Sequence, residues 1–273
     1  MKCFISNTKI CMFVLFSFLH INIAKDEPIK EKSSGIYLEI EGGVSISHRM
    51  LLAPDWTQNG CTTYIWYPTG SDSFETDLGT SKCIGFKIGY QINPIISCDM
   101  SYDYRGNFSS LRGYEPNLIA SSSFSLGDIF SFNNITIQTV LFNINLSPDI
   151  QCGGFVPYIS TGVGFASNKI GCLKNYNLND GEEYPLLYNV TLCGRRITSF
   201  SWQAGIGAYY AFHNHWRFGM GYRFLDAGKL STGGYTTGYA LGYTNNSVSG
   251  TTMRFVARHS TFSDLLLSLT YSF

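Results

Sequence analysis

The chain has 273 residues, with 19 basic and 19 acidic side chains and no net charge, a balance that excludes the strongly cationic surface nucleic acid requires. Only 14 % of residues are charged, against about 25 % in soluble domains, while 18 tyrosines, 20 phenylalanines and 28 glycines enrich the remainder. After residue 24 no apolar run reaches the roughly 18 residues that a membrane-crossing helix needs, which leaves a soluble domain or a strand-built membrane barrel.

The first predicted element is an export signal over 1–24. Lys2 and Lys9 form a positive head, residues 10–19 (ICMFVLFSFL) an apolar stretch too short to span a bilayer, and Ala24 a small residue ahead of Lys25. No Leu-x-small-Cys surrounds Cys3 or Cys11, which argues against a lipoprotein anchor. Residues 25–34 (KDEPIKEKSS) read as a polar tether, and 35–273 as one β-domain.

From there the signal is alternation with period two, because successive strand side chains point to opposite faces. The stretch 36–46 sets Ile36, Leu38, Ile40, Val44 and Ile46 against Tyr37, Glu39, Glu41 and Ser45. A second strand, 84–92, opposes Ile84, Phe86, Ile88, Tyr90 and Ile92 to Gly85, Lys87, Gly89 and Gln91, and Asn93-Pro94 turns the chain. The third, 96–104, opposes Met100, Tyr102 and Tyr104 to Asp99, Ser101 and Asp103. In the fourth, 135–146, Ile135 and Ile137 lie on one parity and Val140, Phe142, Ile144 and Leu146 on the other, which predicts a bulge or an ambiguous register. The fifth, 158–167, alternates Ile159, Val163 and Phe165 with Ser160, Gly162 and Gly164. The sixth, 200–212, sets Phe200, Trp202, Ile206, Tyr210 and Phe212 against Ser201, Gln203, Gly205 and Gly207, and His213-Asn214-His215 closes a short turn. The seventh, 216–224, carries Trp216, Phe218, Met220 and Tyr222 opposite Arg217, Gly219, Gly221 and Arg223. The last strand sets Leu265, Leu267, Leu269, Tyr271 and Phe273 against Asp264, Ser268, Thr270 and Ser272.

Strands of this length cross a bilayer at about 45° tilt, with one face toward hydrocarbon and the other toward an enclosed interior. Short links near 93–94, 147–155 and 213–215 alternate with long ones near 47–80, 105–134, 168–198 and 226–251. That rhythm suits periplasmic turns and extracellular loops, whereas a soluble β-sandwich has no reason to gather its long connections at one end. The predicted fold is therefore all-β: a closed antiparallel up-and-down transmembrane β-barrel of eight strands. Ten strands is the competing count, since 122–132 could also pair, and the alternation of Tyr235, Thr237, Tyr239, Leu241 and Tyr243 predicts extra pairing beyond the membrane.

Glu39, Glu41, Lys87, Asp99, Asp103, Arg217, Arg223 and Asp264 all fall on the interior parity. Eight strands leave a lumen that side chains fill, so these charges are expected to pair into a plug rather than to line a conducting path.

The stretches PYISTGVG at 157–164 and WQAGIGA at 202–208, with Tyr222-Arg223-Phe224-Leu225-Asp226 and the terminal Leu269-Thr270-Tyr271-Ser272-Phe273, resemble the small eight-stranded outer-membrane barrel superfamily of opacity-type surface antigens and OmpA-like porin barrels. The resemblance implies a Gram-negative outer membrane with loops outside, and surface exposure without any one activity. Leu265, Leu267, Leu269, Tyr271 and Phe273 also resemble the C-terminal signal that the barrel-assembly machinery recognises.

Catalysis has candidates in His259 beside Ser260, in His48 after Ser45 and Ser47, and in the His213/His215 turn. Neighbouring strand residues point to opposite faces and cannot share a proton, so none forms a nucleophile, base and orienter, and no enzyme is expected. No cofactor or metal is expected either, since no C-x2-C pair occurs. Behind the export signal six cysteines remain, an even number that suggests disulfides in an exported chain. Loop topology predicts the bridges Cys61–Cys83, Cys98–Cys152 and Cys172–Cys193. The expected function is a structural or adhesive surface antigen whose loops meet host surface molecules or envelope components. A small-solute porin is the first alternative and a lipid-acting enzyme the second. Expected partners are outer-membrane lipid and the assembly machinery.

Overall fold

The computed structural model describes residues 35–55, 74–108, 111–114, 127–132, 134–148, 154–171, 173–179, 182–183, 191–192, 194–213, 215–233, 235–237 and 254–273. The export signal and tether expected over 1–34 lie outside the described residues.

Eight antiparallel strands close into a barrel: β1 Gly35–Ser47, β2 Thr80–Gln91, β3 Ile96–Phe108, β4 Ile135–Leu146, β5 Phe155–Ile170, β6 Arg195–His213, β7 Trp216–Asp226 and β8 Thr261–Ser272. Each strand pairs with its neighbours in the chain, and β8 closes the wall against β1 from Tyr37↔Ser272 to Ser47↔Phe262. Closure leaves no unpaired edge, which hydrocarbon requires because it can satisfy no backbone group. Followed from partner to partner around the wall, the row that leaves β1 at Gly35 passes Gln91, Ser97, Asn145, Ser160, Gly205, Arg223 and Asp264 and returns to β1 at Ser45. A stagger of that size tilts the strands roughly 40° from the barrel axis and leaves an interior that side chains can fill.

The expected alternation holds on every strand. Ile40, Ile84, Met100, Phe142, Phe165, Ile206, Phe218 and Leu267 are exposed on the outer wall, while Glu41, Ser101, Asn143, Gln203, Arg223 and Thr270 are buried inside. An apolar belt of this extent would be a prohibitive surface in water, and against lipid it is the solvated face. At the short-turn end the Asn93 side-chain carbonyl accepts the Ile95 and Ile96 amides at 2.8 Å each.

The fourth strand departs from expectation. β4 keeps a single parity throughout: Ile135, Ile137 and Leu141 point inward with Thr139, Asn143 and Asn145, and Val140, Phe142, Ile144 and Leu146 point outward. The irregularity lies instead in β3, between Gly106 and Phe108, where Asn107 takes φ 61°. That bulge turns Phe108 into the interior opposite Ile135 and leaves Asn107 exposed.

Above the barrel, hairpin extensions pair with one another. The strand 50–55 lies between 74–76 and 254–257, and 230–231 adds to 254–257, which joins the first and fourth loops. The strand 127–132 pairs with 111–114 and 173–179 instead of entering the wall, so the barrel has eight strands and not ten. The expected pairing in the fourth loop is present at Tyr235–Thr237, whose partner is Thr191–Leu192 of the third loop. Tyr239, Leu241 and Tyr243 lie outside the described residues.

Candidate functional site

The lumen gathers all eight interior charges that the alternation predicts. Arg223 on β7 is the hub: its guanidinium reaches Glu41 at 2.7 Å, Asp103 at 3.2 Å and Asp264 at 2.9 Å, so β1, β3, β7 and β8 are tied at one point. Lys87 on β2 bridges Glu39 at 2.8 Å and Glu41 at 2.6 Å. Thr270 donates to the second oxygen of Glu39 at 2.9 Å. Asp99 makes no ion pair among the described residues and is held by two side-chain amides, Asn143 at 2.6 Å and Asn145 at 2.7 Å, and by the Tyr37 hydroxyl at 3.0 Å. Arg217 sits near the short turns, its guanidinium carbon 5.7 Å and 5.3 Å from the Tyr37 and Tyr209 ring centres, and Tyr209 stacks on Tyr158 at 4.3 Å.

Arg105, which sequence reasoning missed, completes the network. It is fully buried and grips Asp264 at 2.6 Å while donating to Thr139 at 3.2 Å. Its position one residue past the predicted end of the third strand hid it, although Asp99, Asp103 and Arg105 share one parity and a longer strand would have found it. Asn143 and Asn145 were obscured for the related reason that the fourth strand looked irregular. With Arg105 the described residues of the lumen set four cations against five carboxylates, close to neutral, and each desolvated charge that has lost water has gained a partner.

Toward the loops the interior turns apolar. Phe108, Ile135, Ile137, Leu141, Leu225 and Phe262 are buried in one cluster with Met50, Leu52 and Leu78 of the first loop and Leu230 and Ala257 of the fourth. The Phe108 and Phe262 rings lie 5.5 Å apart across the mouth. Ile135 and Ile137, which broke the pattern of the fourth strand, are therefore lumen residues where the lumen has ceased to be polar.

The catalytic candidates are not brought together. His259 pairs with Asp226 at 2.9 Å, but the Ser260 hydroxyl donates to the Gly228 carbonyl. The His48 ring meets Ser263 at 2.8 Å, not Ser45 or Ser47, and Ser263 also contacts the Tyr222 hydroxyl at 2.8 Å. His215 bonds the Ser272 carbonyl at the turn. Cys83 and Cys98 carry free thiols, so the bridges expected at Cys61–Cys83 and Cys98–Cys152 are not formed in the structure. Cys83 points into the lumen, 3.7 Å from Arg223, while Cys98 faces outward near the short turns. Cys61, Cys152, Cys172 and Cys193 lie outside the described residues.

A closed eight-strand wall, apolar outside and ion-paired within, defines a transmembrane β-barrel of the Gram-negative outer membrane with its long loops outside. The family described as outer membrane protein beta-barrel domain matches residues 33–255, and the chain belongs to it. The outer membrane protein PagN of Salmonella typhimurium (strain LT2) is 23 % identical over 209 residues, which cover 72 % of this chain and 76 % of PagN. Among solved structures, the outer membrane protein OprG of Pseudomonas aeruginosa aligns with a TM-score of 0.51 at 13 % identity, over 90 % of this chain and 99 % of OprG. Neisserial surface protein A aligns with a TM-score of 0.42 at 12 % identity, over 89 % and 100 %.

Proposed function

We propose that the barrel is a non-conducting anchor and that its paired extracellular hairpins carry the function, contacting host surface molecules or neighbouring envelope components. The observation that carries this reading is the filled lumen: the Arg223 hub spans the interior, and the Phe108–Phe262 cluster closes it toward the loops. A pore would have to dissolve ion pairs at 2.6 to 3.2 Å and an apolar cap at once. The cross-paired loop strands support a shaped surface above the lipid, on which a partner would meet ordered backbone rather than four independent loops.

Two measurements separate this reading from its rivals. In planar bilayers the purified protein is expected to give no steady single-channel current. A regular current that Arg223→Ala or Glu39→Ala changes would replace the anchor with a porin. The lipid-acting alternative is addressed by mass spectrometry of envelope lipid A after expression, where an unchanged acyl pattern is expected. For the interaction itself, a non-adherent strain displaying the protein should gain binding to host cells and lose it when the hairpin 111–132 is replaced by a short turn that leaves the barrel intact.

A further inference from the structure

The outer wall carries a second pattern that neither the lumen nor the hairpins explain. On the face built by β2 to β6, the partners Phe86, Tyr102, Val140, Phe165 and Phe200 form one outward row. Two residues farther from the short turns the row becomes Ile84, Tyr104, Gln138, Ser167 and Thr198, and two residues farther again it is Lys82, Gly106, Thr136, Lys169 and Arg196. Within four residues of strand the rows thus pass from apolar, through hydroxyl or amide at four of five positions, to cationic at three of five.

Lys82, Lys169 and Arg196 are all exposed and have no ion-pair partner among the described residues. Lys169 and Arg196 are direct cross-strand partners, which sets their Cβ atoms about 5 Å apart, and like charges placed so are unfavourable unless an anion lies between them. Lys82 stands three strands away, about 14 Å along the row. Strand tilt makes the row climb by about 3 Å per strand, so Lys82 lies nearest the hydrocarbon edge and the Lys169–Arg196 pair higher. The Tyr104 ring lies back over Gly106, filling the space of the missing side chain and carrying a hydroxyl up beside Lys82. On the opposite wall the corresponding outward strand positions are Phe224, Asp226, Ser263 and Thr261, without a lysine or arginine, and Asp226 is already paired with His259.

We propose that the β2–β6 wall is a docking site for one anionic glycolipid of the leaflet facing the loops: its acyl chains lie on the Phe86–Phe200 row, a headgroup phosphate meets Lys82 and the Tyr104 hydroxyl, and acidic groups on its sugars are clamped by Lys169 and Arg196. Charge complementarity and continuity with the lipid-facing belt select this occupant. A soluble anion would not need the graded apolar wall below the cations, and a neutral lipid would leave the cationic pair repelling itself.

The test uses the full-length barrel in a neutral detergent, titrated with Kdo2-lipid A and with the same lipid stripped of phosphate, bound lipid being read by native mass spectrometry. K82Q/K169Q/R196Q is expected to weaken binding of the phosphorylated lipid by roughly tenfold or more, since a surface cation near an anionic headgroup contributes about 1 kcal/mol. R258Q, which removes an exposed cation next to His259 on the β7–β8 side, is expected to change nothing, and the charge-keeping K169R/R196K to retain binding. Wild-type binding should weaken steeply as salt rises, a reading that needs no variant. Equal affinity in the triple variant, an equal loss in the control, no dependence on salt, or displacement by free pyrophosphate at similar concentrations would each overturn the proposal. All of these outcomes are independent of whether the barrel conducts.

Discussion

Arg223 shows how one side chain can hold a barrel together. Its planar fork serves three carboxylates on three strands, a geometry that lysine, with a single point charge, cannot reproduce. Replacing Arg223 with alanine leaves Glu41, Asp103 and Asp264 facing one another without their central cation, and the expected cost is about 3–5 kcal/mol. Urea-driven unfolding in lipid vesicles should report it, and Arg223→Lys should recover only part. Cys83 belongs to the same scale. Its thiol is enclosed beside Arg223, so a water-soluble maleimide is expected to label it only after denaturation. Labelling in the folded barrel would mean that water enters the lumen freely.

At the scale of elements, the strands ran true because each must separate lipid from lumen, and one residue of slip would carry every charge into hydrocarbon. Lumen parity was therefore legible for Glu39, Lys87, Asp99 and Arg217 without any knowledge of their partners. The signal failed where the lumen changes character. Ile135 and Ile137 face inward into an apolar cap, and a pattern that equates interior with polar misreads them as a slipped register. The bulge at Asn107 was not legible because it lies beyond residue 104, where the clear alternation of the third strand ends, and it turns Phe108 into the interior. With φ at 61°, Asn107→Gly is expected to be neutral, whereas Asn107→Val should cost about 1–2 kcal/mol, since a β-branched residue is strained in the left-handed region. A chemical denaturation series over the two variants measures the difference.

For the whole molecule, closure and the filled lumen make unfolding a single cooperative event, because no strand can leave the wall without exposing two ladders to lipid. The purified protein is expected to resist sodium dodecyl sulfate at room temperature and to change its gel mobility on boiling. Identical migration before and after heating would contradict the closed wall. The hairpins above the membrane add two small sheets, one joining the first loop to the fourth and the other joining the second loop to the third and the third to the fourth. Replacement of one hairpin should therefore weaken the order of its partner loop while leaving the barrel's heat-modifiable shift unchanged.

The pairing of 127–132 outside the wall settled the count at eight strands, while sequence by itself determined the parity of the walls, the side on which the long loops lie and eight of the nine described lumen charges. Each follows from a period-two pattern imposed by a bilayer on one face and an enclosed interior on the other. Only the tertiary structure decided which charges meet, because Arg105 and Asp264 are 159 positions apart in the chain and a strand's alternation says nothing about its partner's stagger. The ten-residue return from Gly35 to Ser45 is a property of closure, and it is closure that brings Arg223 to Glu41, while the register of β5 against β6 sets Lys169 beside Arg196.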